Sequence, residues 1–193
     1  MDVASTLQML EALKFKEKRI LSPLRKCIKK LSFKSSRDLT NLSDLGMWLY
    51  IYGHTDQALK VCELAARVEF AGDFIIWTPV ENLLLLGARI HREQGHKAEA
   101  DTYAKRVAQP MAVHGEALKR RLSFNWLSDK SIERCLQDND LRAANEWRFS
   151  DLSSLFLMRE LGKGRKDIDG YKVDTARAEA KIVEYLEILK TAR

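Results

Sequence analysis

Two stretches of this chain are written in nearly the same way, a fixed 42 residues apart. The first, LSDLGMWLYIYGHTDQALKVCELAA, runs from Leu42 to Ala66; the second, LLLGARIHREQGHKAEADTYAKRVA, runs from Leu84 to Ala108. At that offset Gly53 falls on Gly95, His54 on His96, Ala58 on Ala100, Gly46 on Ala88 and Cys62 on Ala104. Each stretch reads as a helix, a glycine and a second helix. Glycine enters the left-handed backbone region without steric cost, so it commonly follows the last residue of a helix. A lone helix–turn–helix unit cannot bury its own apolar face. Repetition at a period of about 20–50 residues therefore marks helices stacked in an array. An array specifies an architecture and a mode of action, binding, without specifying a partner.

The rest of the composition agrees with helices. Only three prolines and nine glycines punctuate 193 residues, too few turn residues for a many-stranded sheet. Hydrophobic residues make up 46% and charged residues 31%, which excludes a disordered chain and allows one domain over residues 1–193 with a sizeable core. The most apolar stretch, Phe74 to Ala88, is interrupted by Pro79, Glu81 and Asn82, so it is not a membrane span, which needs roughly 20 apolar residues. The N-terminus shows no apolar signal core. Cys27, Cys62 and Cys135 are odd in number and have no CxxC spacing, which points to buried free thiols and a cytoplasmic setting.

Taken in order, residues 1–37 read as a basic helical hairpin. Ser5 is the expected cap of a first helix with Leu7, Leu10, Leu13 and Ile20 on one face. Ser22-Pro23 is the expected start of a second, over about 23–33, with Leu24, Cys27, Ile28 and Leu31 as its apolar stripe. Residues 38–110 hold the two repeat-like hairpins. Thr55 is the expected cap of the second helix of the first hairpin. Thr78-Pro79-Val80-Glu81 has the capping-box arrangement, and the second hairpin is expected to start there, with Glu69–Trp77 before it as an apolar plug. Pro110 is the expected break. Residues 111–193 read as C-terminal helices. These comprise a third pair (about 112–126 and 129–138), a helix over about 140–161 and a loop from Gly162. A capping helix over about 172–190 follows, with Val173, Ala176, Ala180, Val183 and Leu186 or Ile188 turned inward.

Charge is uneven along the chain. Residues 1–37 hold 10 Lys/Arg against 3 Asp/Glu, whereas residues 38–193 hold 23 against 24. Arg25, Lys26, Lys29 and Lys30 form one basic face. Such a face serves an acidic partner, nucleic acid or an anionic membrane, or is simply solvated. No exposed aromatics are interleaved with it, so stacking on single-stranded nucleic acid is not favoured.

Leu42, Leu45, Gly46, Leu49, Gly53, Ala58 and Ala65 resemble the signature of the tetratricopeptide repeat in the placing of large and small residues. The second unit keeps Leu84, Ala88, Gly95 and Ala100. It departs at His91 and Val107, both units lack the family's closing proline, and the period exceeds the family's roughly 34 residues. The resemblance covers residues 42–108. It implies an all-α fold of stacked helical hairpins, an α-α superhelix with N- and C-terminal capping helices. It also implies a concave groove on the inner helices, where Ser43, Met47 and Tyr50 of the first unit and Leu85, Arg89 and Arg92 of the second would lie. Arg89 and Arg92, three apart, would hold an acidic partner.

Catalytic and metal motifs are not evident. His91 and His96, five apart, would point about 140° apart round a continuous helix, so they are not expected to share a metal. Gly162-Lys163-Gly164 lacks the spacing of a phosphate loop. Arg120-Arg121-Leu122-Ser123 is a short basophilic phosphorylation motif. The expectation is a cytoplasmic, non-enzymatic protein-binding module without cofactor, metal or membrane. Its sharpest form is an immunity-type inhibitor that neutralises a cognate effector. The alternatives are an adaptor or chaperone with a peptide groove, and a nucleic-acid binder using the basic N-terminal helices.

Overall fold

In the computed structural model the described residues are 2–113, 149, 152–160, 162, 167–168, 171–172 and 174–191. The chain divides into two compact units, Met1–Tyr103 and Ala104–Arg193. Apart from one two-residue ladder, every regular element among the described residues is a helix, so the all-α expectation stands.

The first unit begins with α1 (Val3–Ala12). Its cap is Asp2 rather than Ser5: the Asp2 carboxylate accepts from the Ser5 amide at 2.8 Å and from the Ser5 hydroxyl at 2.9 Å. Leu7 and Leu10 are buried, whereas Leu13, just past the helix end, is 48% exposed. The helix α2 (Lys18–Lys29) starts five residues earlier than Ser22-Pro23 implied, and Pro23 lies inside it. Ile20, Leu24 and Cys27, at i, i+4 and i+7, are its buried stripe, which extends the apolar period back past the proline. Ile28, expected on that stripe, is 39% exposed. Ser35 caps α3 (Ser36–Ile51) by accepting from the Asp38 amide, while the Asp38 carboxylate accepts from the Ser32 amide at 3.1 Å.

The first hairpin is α3 with α4 (Thr55–Ala65). Gly53, at φ 83°, makes the turn. Its amide donates to the Tyr50 carbonyl at 3.0 Å, and the His54 amide donates to the Leu49 carbonyl at 2.8 Å. This pair of bonds is the Schellman arrangement, which satisfies carbonyls that the end of a helix leaves without donors. His54, not Thr55, is the N-cap of α4: its carbonyl accepts from the Ala58 amide at 2.9 Å.

The second hairpin is α5 (Phe74–Glu93) with α6 (Lys97–Val113). Its turn repeats the first. Gly95 sits at φ 81° and donates to the Arg92 carbonyl at 3.1 Å, His96 donates to the His91 carbonyl at 2.8 Å, and Ala100 donates to the His96 carbonyl at 3.1 Å. Its start differs from the expectation. The cap is Asp73, which accepts from the Ile75 and Ile76 amides at 2.8 and 3.4 Å. The capping box at Thr78 does not form, because the Thr78 hydroxyl donates to the Phe74 carbonyl and Pro79 lies inside the helix. The apolar plug is largely the first turn of α5: Phe70 packs on Phe74 and Trp77 with ring centroids 5.0 and 5.5 Å apart. Pro79 withholds a donor from the Ile75 carbonyl, and Ile75 is 73% exposed, so water can supply one. Pro110 is likewise inside α6 rather than a break.

In α5 every residue from Glu81 to Ala88 is buried, the mark of a helix enclosed on all sides. Gly46 lies where α3 meets its neighbours: a Cβ there would fall 2.5 Å from Leu83 Cδ2 and 3.3 Å from Val61 Cγ1. The small residue thus opens the approach of α3 to α5 as well as to α4. The α2 helix packs on the other side of α3, where the Arg19 guanidinium lies 4.6 Å from the centre of the Trp48 ring.

In the second unit, residues 152–160 are helical and buried from Leu152 to Met158. The Gly162 amide closes that helix on the Met158 carbonyl. Asp167–Ile168, in the expected loop, pairs antiparallel with Tyr171–Lys172, at the expected start of the last helix. The helix α7 (Thr175–Thr191) buries Ala178, Ile182, Tyr185 and Leu189 rather than the expected stripe, and Val183 is 54% exposed. The observed stripe carries the larger apolar side chains and so removes more apolar area from water. Arg159 joins residues 152–160 to α7 through Glu179 at 3.2 Å. The expected third hairpin lies mostly outside the described residues, as do Cys135, Trp126, Trp147 and the Arg120–Ser123 motif.

Candidate interaction surface

The expected groove residues separate into two groups. Ser43, Met47 and Leu85 are buried, so they present no surface to a partner. Tyr50, Arg89 and Arg92 are part-exposed, but each is already engaged within the fold. The Tyr50 hydroxyl donates to Glu93 Oε1 at 2.7 Å, and Arg89 Nε donates to the same oxygen at 2.6 Å. This three-residue knot ties α3 to α5. Burial, with the Glu93 charge beside it, raises the Tyr50 phenol far above its ordinary range, which keeps it a donor. Arg92 pairs with Asp101 and ties α5 to α6. Arg89 therefore pairs within its own helix, and Arg92 with the helix that follows.

The basic face has the opposite character. Arg25, Lys26, Lys29 and Lys30 are all exposed. Among the described residues none of the four makes an ion pair or side-chain hydrogen bond. Because α2 begins at Lys18, that exposed lysine joins the face on the turns before Arg25. Sequence reasoning missed Lys18 by starting the helix at the proline. The signal was present in Ile20, which stands four residues before Leu24 and continues the buried stripe. The Lys26 and Lys29 charges also lie in the last turn of α2, where the helix dipole favours cations.

The histidines at the second turn meet, against the expectation from a continuous helix. The ring centroids of His91 and His96 are 5.8 Å apart, and the Tyr103 ring lies 5.4 Å from His91. The helix ends between the two histidines, and the Schellman turn folds His96 back over the residue whose carbonyl its amide binds. Burial and the neighbouring His96 lower the His91 pKa, while Glu99 and Glu63 oppose the shift. Among the described residues no group of three or more His, Cys, Asp or Glu is placed to hold a metal ion. Cys27 and Cys62 are buried free thiols. Burial, then Asp38 and Asp44, pushes Cys27 up to about 12, and burial raises Cys62 too, so neither is a thiolate near neutral pH. No helix among the described residues is long and apolar enough to cross a membrane.

No curated protein and no solved structure matches the chain. One family model does, over residues 3–190, and by that match the chain belongs to DUF6707, a family of unknown function.

Proposed function

We propose that this chain is a non-catalytic protein-binding module built on tetratricopeptide-like stacked helical hairpins, working in the cytoplasm as an immunity-type inhibitor of a cognate effector. The observation that carries the reading is the duplicated turn. Two consecutive hairpins, 42 residues apart, close on glycines at φ 83° and 81° with the same amide-to-carbonyl bonds. Such repetition supports an array, and arrays of stacked hairpins act by presenting an extended surface to another molecule. The exposed basic face of α2 supports a partner of acidic character.

Co-expression with the product of the neighbouring gene tests the reading. The expected result is a one-to-one complex that survives gel filtration and abolishes any toxicity of that product. Failure to form a complex, with toxicity unchanged, counts against the immunity reading.

A further inference from the structure

We propose that the solvent face of α2 docks an acidic amphipathic helix of a partner protein, with Ser22 at the centre of the contact and Ile28 at its apolar edge. The proposal rests on the protein-binding reading above. At about 100° per residue, Lys18, Ser22, Arg25, Lys26 and Lys29 fall within roughly 100° of the circumference of α2. All five are exposed, and they lie opposite the buried Ile20 and Cys27. Ser22 has cations four residues before it and three, four and seven after it, the positions that neighbour it on a helix surface. A carboxylate placed over Ser22 can accept from its hydroxyl and meet positive charge on each side. The face spans about 17 Å, or three turns. Carboxylates one turn apart on a facing helix repeat at the same rise, so charges on the two helices can stay in step.

Two observations favour protein over nucleic acid. The first is the confinement of the charge. Residues 38–193 hold 23 basic and 24 acidic residues, so the net positive charge of the chain lies in residues 1–37, a short stretch for a ligand such as a duplex whose affinity grows with the number of phosphates neutralised. The second is composition at the rim. Ile28, beside Lys29 and one turn from Arg25, is 39% exposed and offers apolar contact that a phosphate backbone cannot use. Phe15, the aromatic nearest the stripe in sequence, is packed on the His54 ring at 4.9 Å and does not present a stacking platform.

The test uses the full chain and a fluorescent synthetic three-turn peptide with glutamates on one face and leucines on its flank. A scrambled peptide of the same composition, a short DNA duplex and phosphatidylserine vesicles are the comparison ligands. The peptide is expected to bind more tightly than each of them at equal ionic strength. Joint replacement Lys18→Gln, Arg25→Gln, Lys26→Gln and Lys29→Gln should weaken peptide binding about tenfold or more without moving the unfolding midpoint, since all four side chains are exposed. Ile28→Ser should weaken it about threefold, in keeping with the loss of a small apolar contact. Tighter binding of the duplex or the vesicles, equal binding of the scrambled peptide, or full peptide binding by the fourfold variant each overturns the proposal. If the neighbouring gene's product still binds the fourfold variant as it binds the parent, this surface falls while the protein-binding reading stands.

Discussion

The two hairpins share a turn and differ in nearly everything that fills it. Tyr52, Gly53, His54 and Ala58 donate to carbonyls that correspond, residue by residue at the 42-residue offset, to those used by Gln94, Gly95, His96 and Ala100. The side chains around the turn diverge. Where the first hairpin has Leu49 and Val61, the second has His91 and Tyr103, which make a ring cluster with His96. In the first, the ring against His54 comes from outside the hairpin, from Phe15 in the α1–α2 connection. The repeat thus specifies backbone closure and helix spacing, and the unshared side chains decide what each hairpin packs against. The first is bound to the N-terminal helices through Phe15 and Arg19. The second supplies its own ring cluster.

The sharpest way to break this comparison is at the small residues. Gly46→Ala places a methyl 2.5 Å from Leu83, which is fully buried and cannot swing away. Overpacking costs about 1–3 kcal/mol, against about 1 kcal/mol gained in helix propensity. A net loss of up to about 2 kcal/mol in denaturant unfolding is expected. At Gly87→Ala the new methyl meets the Tyr103 ring at 2.6 Å, but Tyr103 is part-exposed and can tilt outward. Its net effect should lie within about 0.5 kcal/mol of zero, because propensity and crowding offset each other.

The turns themselves should respond alike. Neither Gly53 nor Gly95 has any atom within 4 Å of an added Cβ, so alanine is penalised there by backbone strain alone. Each substitution should cost about 1 kcal/mol, with the two values agreeing to about 0.5 kcal/mol. A much larger cost at one turn would mean that the two are not equivalent.

The smallest effects separate the ties to the following helix, which both leave from the same repeat position. Tyr50→Phe removes a hydrogen bond to Glu93 on α5 and should cost about 0.5–1 kcal/mol, with little dependence on salt. Arg92→Gln removes the pair with Asp101 on α6, an ion pair half open to water. It should cost less than about 0.5 kcal/mol and vanish at high salt.

The turns could be read in the sequence because glycine in the left-handed region has few substitutes, and a repeated Gly-His after an apolar period points to one geometry. The helix starts could not be read from proline. Pro23, Pro79 and Pro110 each lie inside a helix, because apolar burial on the N-terminal side outweighed the lost donor: Ile20 before Pro23, and Phe74 and Trp77 before Pro79. Asp73 and Asp2 were stronger caps than the residues the pattern suggested, since a carboxylate takes orphan amides at the helix start more strongly than a hydroxyl. The expected groove was the least legible part. Met47 and Leu85 look identical in sequence whether they face a partner or a core, and only the fold shows them buried. The spacing of Arg89 and Glu93, four apart on one helix, did offer a pair, but nothing in the sequence pointed Arg92 to Asp101 across the turn. The basic face was legible because a run of lysines opposite an apolar stripe has few places to go but solvent.

The most direct test of a shared frame with different filling is amide hydrogen exchange of residues 43–61 and 85–103. It should be measured at neutral and mildly acidic pH and corrected for the intrinsic rate at each. His91 is held below the unfolded histidine value of about 6.5, first by burial and then by His96. Its unprotonated form thus contributes stability above that value, and the contribution is lost as pH falls from there through the lower folded value, because the unfolded chain binds the proton more readily in that window. Equal protection of the two turns is expected at neutral pH, with selective loss at the second on acidification. His91→Leu, which installs the residue of the first hairpin, should abolish that loss. Unequal turns at neutral pH, or equal loss from both on acidification with His91→Leu without effect, would contradict the account.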